Sequence, residues 1–405
     1  MQADIIVVGA GMVGSALALA MNDSGLDCLL LDSTSLNAAP FDPDSAFAAR
    51  VSALSQASQN VLTNLGAWPG VVQRRASPYS QMQVWDGSGT GHIHFSASQA
   101  HASVLGHIVE NRIVQDALLD QLQDSNISLL PESRVVQLRR SGSHWLLQLD
   151  NGSQLRTRLL VAADGANSSI RRLTGCATRE WDYQHHAVVT SVLTELPHRH
   201  CCWQIFTDEG PLALLPLQHA DGDNWCSIVW SLPPQRADQV MQLPDDEFCR
   251  QLGRAFEYRL GSIMHAEPRF CVPLRQRHAK RYVEPGLAFI GDAAHVIHPL
   301  AGQGVNLGFL DVASLADSLG KAAARGEDYA GMQVLSRFER QRMPHNLAMM
   351  AAMQGFQDLF QADHHALRWL RNLGLQTADR LPEAKNLFVR HALGLGLQLP
   401  PLARN

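Results

Sequence analysis

The sequence predicts an α/β fold in which a parallel-sheet domain is interrupted by an inserted antiparallel sheet and followed by helices. Three observations predict it. The chain opens on "DIIVVGAGMVGSALALAMNDSGLDCLLLDS", a β-branched run, a glycine cluster, an apolar helix and a second apolar strand. Residues 185–275 change to strand-like runs rich in Val, Ile, Trp and Leu, separated by loop residues. From Asp311 onward the apolar residues recur at helical spacing.

Composition sets the bounds. A chain of 405 residues is long enough for two or more cores. With 46% hydrophobic and 18% charged residues it reads as a globular protein, and a net charge of −5 gives no reason to expect nucleic acid. The seven cysteines show no CxxC and no metal-ligand spacing, so free thiols of a reducing cytosol fit better than a disulfide framework. The vicinal pair Cys201-Cys202 is read as ordinary core rather than as a redox centre. The apolar start lacks a positive segment before it, as a signal peptide would have, and no run approaches the length of a membrane span.

In the opening unit Ile5–Val8 make the strand, and Gly9, Gly11 and Gly14 form GxGxxG. Gly9 allows the tight turn, Gly11 lets a pyrophosphate approach the backbone, and Gly14 lets the helix pack on the sheet with its N-terminus toward the phosphates. Leu29–Leu31 end at Asp32, eighteen residues after Gly14, where a carboxylate can bind the hydroxyls of an adenosine ribose. This is a Rossmann-like dinucleotide site, and the motif alone does not separate NAD from FAD.

Further on, residues 34–50 read as a loop ending at Arg50, and "RVSALSQASQNVLTNLG" as a helix ending at Gly66. Residues 78–97 read as two strands around a Gly-rich turn, and 107–124 as a helix from Ile113 onward. Asn151-Gly152 marks a hairpin within 144–165, whose last strand runs into Asp164-Gly165. The parallel pattern returns at "GLAFIGDAAHVI" (286–297). The expected division gives the nucleotide-binding domain residues 1–77, 101–180 and 281–345, the substrate sheet 78–100 and 181–280, and a helical region 346–405.

Two later segments complete the pattern. "LLVAADGANSSIRR" (159–172) holds DGxxSxxR as Asp164, Gly165, Ser168 and Arg171. "AFIGDAAHVIHPLAGQGVNLGFLD" (288–311) holds GDAAH and then a Gly-rich loop entering a helix. With GxGxxG, this set resembles the class A flavoprotein aromatic hydroxylases of the para-hydroxybenzoate hydroxylase fold. Its third segment closely resembles the signature of the ubiquinone-biosynthesis hydroxylases. "RVSALS" (50–55), "GHIVEN" (106–111), "GPLALLPL" (210–217) and "SIVWSL" (227–232) are also similar to that family, most of all to the branch that hydroxylates C5 of a polyprenylphenol.

The resemblance implies an FAD-dependent monooxygenase that uses O2 and a reductant, NAD(P)H, through a flavin C4a-hydroperoxide. Reduced flavin carries negative charge near N1 and the C2 oxygen, which backbone N–H groups at a helix N-terminus are suited to stabilise. Gly302 and Gly304 would let the chain pass beside the ring, Val305 and Asn306 would present N–H groups, and Leu307 would begin the helix. Pro299 would stiffen the loop. Gly291 and Asp292 follow the strand, and Asp292 is expected to bond the ribityl chain. Arg50 and Asn111 are expected near the pyrophosphate and ribityl region. Asp164, Gly165 and Arg171 belong to a motif implicated in FAD and nicotinamide binding, with bracing of the strand–helix turn as the structural alternative for Arg171. No general base is evident. His295 and His298, at i, i+3, lack a third partner for a metal site, and no metal is expected.

The sequence leaves several readings open. "GPLALLPL" and "SIVWSL" suit either the wall of an apolar substrate site or plain core. Rivals on the same fold are an oxidase, a dehydrogenase or a halogenase, although the WxWxIP segment of halogenases is absent. A scaffold role in a ubiquinone-biosynthesis assembly is the non-enzymatic alternative, and homo-oligomerisation is left open. A polyprenylphenol partitions into lipid, so a cytoplasmic protein would reach it at the inner face of the membrane or through a partner. Residues 364–394 carry Arg368, Arg371, Arg380, Lys385 and Arg390 against Asp379 and Glu383, five cations minus two acids giving +3, among leucines and Trp369. Such a segment either lies on anionic lipid or a partner, or packs its leucines on the domain.

Overall fold

The computed structural model describes residues 1–297, 304–361 and 399–404. An eight-stranded sheet carries the first domain, in the order Val283–Glu284, Leu287–Phe289, Gln154–Ala162, Gln2–Val8, Cys28–Leu31 and Ser128–Leu130, with the strands Val135–Ser141 and His144–Leu149 added beside Gln154–Ala162. The middle strands are parallel and in register: Val8 lies between Leu31 and Ala162, and Ala162 faces Phe289. Ile5, Val7, Leu30, Leu160 and Phe289 are fully buried, as expected for strands covered on both faces. The register has a functional consequence. Gly9, Asp32, Ala163-Asp164 and Ile290-Gly291 all emerge at one edge, the carboxyl ends of the strands, where α/β sheets bind ligands.

The second sheet has nine strands and lies in the order His295–Val296, Phe270–Ala279, Thr178–Thr194, Gly222–Leu232, Gly210–His219, Cys201–Thr207, Gln81–Asp86 and His92–Ser96, with Ile263–Ala266 also on Thr178–Thr194. It is antiparallel except where Gln81–Asp86 runs parallel to Cys201–Thr207, so the early strands join by a crossover rather than a hairpin. One face is covered by two helices the sequence reading missed, Pro234–Met241 and Asp245–Ala255. They are short and follow prolines. Their signal was the pairs Ala237/Val240 and Phe248/Leu252, which pack on Leu212, Leu214, Ile228 and Trp230.

A three-stranded sheet links the domains. Val51–Leu54, expected to be helix, is a strand beside Gly106–Glu110, which also pairs with Ser77–Tyr79. The helix begins only at Gln56, with Ser55 accepting from the Ser58 N–H as N-cap. Partner strands and not local periodicity decide such a segment. Helices Gly304–Ala324 and Met332–Gln361 follow, and the described chain ends on a short 3-10 turn, Pro401–Ala403. No helix among the described residues is long and apolar enough to cross a membrane. The basic segment 364–394 lies outside the described residues.

Candidate functional site

The nucleotide loop shows two kinds of glycine. Gly9 has φ +104°, and a Cβ there would lie 2.5 Å from the Ala163 carbonyl oxygen; at Gly14 it would lie 1.8 Å from the Gly9 oxygen. These two are required by the packing of helix on sheet. Among the described residues a Cβ at Gly11 meets nothing within 4 Å, and at Gly304 only Ile297, at 3.9 Å. The described residues leave space beside both, as a pyrophosphate and a flat ring would need. Asp32 accepts from the Ala10 N–H at 2.7 Å and from Thr34 N–H and hydroxyl, both at 2.8 Å, which aims its carboxylate along the loop.

Arg50 and Asn111 come together from distant positions because the Asn111 N–H donates to the Arg50 carbonyl at 2.9 Å. The Ser52 hydroxyl holds the Asn111 side chain at 2.6 Å. Asp292 follows the fully buried strand Leu287–Phe289 and is itself exposed. Its surroundings raise its pKa by burial, with His295 and Arg50 opposing.

The DGxxSxxR residues turn inward. Asp164 accepts from Ser169 N–H at 2.6 Å and Ile170 N–H at 3.1 Å, closing the N-terminus of helix Ser169–Thr174. Its other oxygen, Oδ1, is buried with no partner among the described residues. Gly165 has φ +78°, and a Cβ there would meet nothing within 4 Å among the described residues. Arg171, 6% exposed, donates to the carbonyls of Ala293 at 2.8 Å and Ala166 at 2.6 Å. It braces the DG turn against the GDAAH turn, which is the structural alternative raised for it.

Helix Gly304–Ala324 opens three residues before Leu307, so Val305 and Asn306 sit in its first turn, where backbone N–H groups lack intrahelical partners. Asn306 is buried; its Nδ2 donates to the Ala53 carbonyl at 2.8 Å, and its Oδ1 accepts from Ser55 N–H at 3.0 Å and the Ser58 hydroxyl at 2.6 Å. Its side chain therefore anchors the helix start to the linking sheet. Pro299, Gly302 and His298 lie outside the described residues. Gly308, not singled out by sequence, is where the helix meets the nucleotide loop: a Cβ would lie 2.6 Å from Val13.

Sequence reading also missed a buried polar hub. Asp311, fully buried, accepts from His295 Nε2 at 2.6 Å, Arg342 Nε at 2.8 Å, Gly291 N–H at 3.1 Å and Asn346 Nδ2 at 3.2 Å. Burial alone would raise its pKa, but His295 and Arg342 hold it well below the usual carboxylate range. The apolar run before Asp311 was its signal: a lone acid on a buried helix face needs partners. His295 is thus committed to Asp311, and among the described residues no cluster suited to a metal ion occurs.

Beside Arg50 and Asn111 opens an apolar cavity of about 240 Å³ between the linking sheet and the uncovered face of the nine-stranded sheet. "GPLALLPL" and "SIVWSL" divide between cavity wall and core on alternate residues. Pro211, Ala213, Leu215, Val229 and Ser231 line the cavity, while Leu212, Leu214, Ile228 and Trp230 pack under the helices. The tryptophan expected in the wall is therefore core. Cys201 and Cys202 alternate likewise, both buried and free, with Cys202 on the cavity.

A nucleotide-type sheet edge, an apolar cavity beside Arg50 and Asn111, and a helix start bonded to the linking sheet at Ala53 are the parts of an FAD-dependent monooxygenase of the para-hydroxybenzoate hydroxylase fold. Residues 2–353 match the FAD binding domain family. The chain is 38% identical over 393 residues to 3-demethoxyubiquinol 3-hydroxylase of Escherichia coli, covering 97% of this chain and 98% of that protein. It is 35% identical over 410 residues to ubiquinone hydroxylase UbiL of Rhodospirillum rubrum, covering 99% and 92%. Among solved structures, p-nitrophenol 4-monooxygenase PnpA from Pseudomonas putida superposes with a TM-score of 0.76 at 17% identity, covering 98% of this chain and 99% of that one. That last likeness concerns the fold. The chain belongs to the FAD binding domain family and, within it, to the ubiquinone-biosynthesis hydroxylases.

Proposed function

We propose that the protein hydroxylates the ring of a polyprenylated, oxygenated aromatic compound of ubiquinone synthesis, with O2 and NAD(P)H as co-substrates. The observation that carries the reading is the apolar cavity beside Arg50, which is also close enough to Asp292 to act on its charge. FAD, when bound, supplies the oxygen-activating chemistry. Gly9, Gly11, Gly14 and Asp32 would hold its adenosine diphosphate half, Arg50, Asn111 and Asp292 its ribityl region, and the first turn at Val305 and Asn306 the pyrimidine edge. The helix start would offer N–H groups to negative charge there. The apolar walls would exclude water from the ring being hydroxylated.

Two ring positions compete. Similarity to the polyprenylphenol branch puts C5 first, whereas the function named for the E. coli relative favours 3-demethoxyubiquinol as substrate. Deleting the gene and identifying the quinone precursor that accumulates separates them. A 2-polyprenylphenol supports C5, and a demethoxy quinol supports the other. No accumulation of any precursor, with no product from purified protein, NAD(P)H and O2, refutes the hydroxylase reading.

A further inference from the structure

The cavity floor is built from small side chains that meet across the strands. Gln204 pairs with Ala213, Ala213 with Val229 and Val229 with Val189; one row on, Ser231 pairs with Ala187 and Ala187 with Val272. Alternation aims Gln204 and Ser231 into the cavity, because Ile205, Trp230 and Leu232 beside them belong to the helix-covered core. Gln204 is 7% exposed and Ser231 3%, and neither side chain has a hydrogen-bond partner among the described residues. Neither is among the polar atoms sealed from solvent without a partner, so their polar ends stay open to the cavity, where a ligand or water can pair with them. The other polar groups on the walls are not ionised: burial pushes the Tyr79 hydroxyl and the Cys202 thiol far up. Arg50, which carries a charge, is exposed at the mouth.

We propose that Gln204 and Ser231 form the specificity-determining pair of this site, binding the ring oxygens of a neutral oxygenated aromatic substrate and so fixing the ring's rotation in the cavity. This rests on the hydroxylase reading. An amide suits the task because it donates to a methoxyl or carbonyl oxygen and accepts from a hydroxyl. Strands lie about 4.8 Å apart and alternate residues about 6.7 Å, so the two groups, two strands and two residues apart, stand about 12 Å from each other across the floor, and an oxygenated ring fits between their side chains. Orientation then decides which carbon is hydroxylated.

The test measures binding to the FAD-loaded protein by isothermal titration calorimetry. The probes are 4-hexyl-2-methoxyphenol and hexylbenzene, which lacks ring oxygens. Wild type should bind the methoxyphenol about tenfold more tightly, Gln204→Met should lose about five- to tenfold for that probe alone, and Ser231→Ala about threefold. Equal losses for both probes would make the residues merely structural, and no loss would leave them as hydration sites; either overturns the proposal. Should Gln204→Met not fold, Ser231→Ala decides on the same comparison. Selective binding by wild type without any hydroxylated product would instead overturn the hydroxylase reading and leave the pair standing.

Discussion

Replacing Asp311 by Asn tests the hub that joins the flavin-side helix to the GDAAH turn. The substitution keeps the shape and removes the charge, leaving the Arg342 guanidinium 6% exposed with no anion at 2.8 Å. Breaking a buried pair on one side costs about 3–5 kcal/mol, and at about 2 °C per kcal/mol the first unfolding transition should fall by roughly 6–10 °C. Because Gly291 also hangs on this carboxylate, flavin content should fall with it. Removing both charges, as Asp311→Asn with Arg342→Met, should recover about 1.5 kcal/mol or more over the sum of the single losses. The pH dependence has a definite sign. The folded-state pKa of Asp311 is depressed, so its contribution is complete above the unfolded carboxyl pKa of about 3.9 and is lost as pH falls below that. The gap between wild type and Asp311→Asn should therefore stay constant from about pH 5 to 8 and narrow below about pH 4. Calorimetry across that range measures it. A variant within about 0.5 kcal/mol of wild type at pH 7, or a double variant no better than additive, refutes the reasoning.

Denaturing the purified protein should release a yellow chromophore that co-migrates with FAD; release of FMN instead contradicts the dinucleotide assignment. Gly304→Val should keep its melting temperature within about 2 °C and lose flavin and hydroxylation, whereas Gly14→Val should fail to fold, since its side chain meets backbone at 1.8 Å. Circular dichroism with the flavin-to-protein ratio separates the two, and equal behaviour would show that the space beside Gly304 is not for a ligand. Arg368→Glu with Arg371→Glu should lower co-sedimentation with anionic liposomes and spare FAD content; unchanged co-sedimentation makes those arginines an ordinary solvated face.

The nucleotide half was legible in the sequence because its requirements are local. The strand Gln2–Val8, the glycine spacing and the acid at position 32 each follow from neighbours a few residues away. The same holds for the hairpin at Asn151-Gly152 and for the long helices. The misread strand Val51–Leu54 shows where that logic stops, since its pairing with Gly106–Glu110 comes from more than fifty residues away. Tertiary structure alone decided which alternate residues of "GPLALLPL" and "SIVWSL" face a cavity, because a strand's two faces carry the same composition until a helix layer covers one. It also decided the partners of Asp311, Arg171 and Asn306, buried polar groups whose hydrogen bonds reach across the chain. By itself the sequence determined that a dinucleotide is held at the end of a parallel sheet. Chain crossing determined what stands opposite it, because contacts distant in sequence exist only once the sheets have packed.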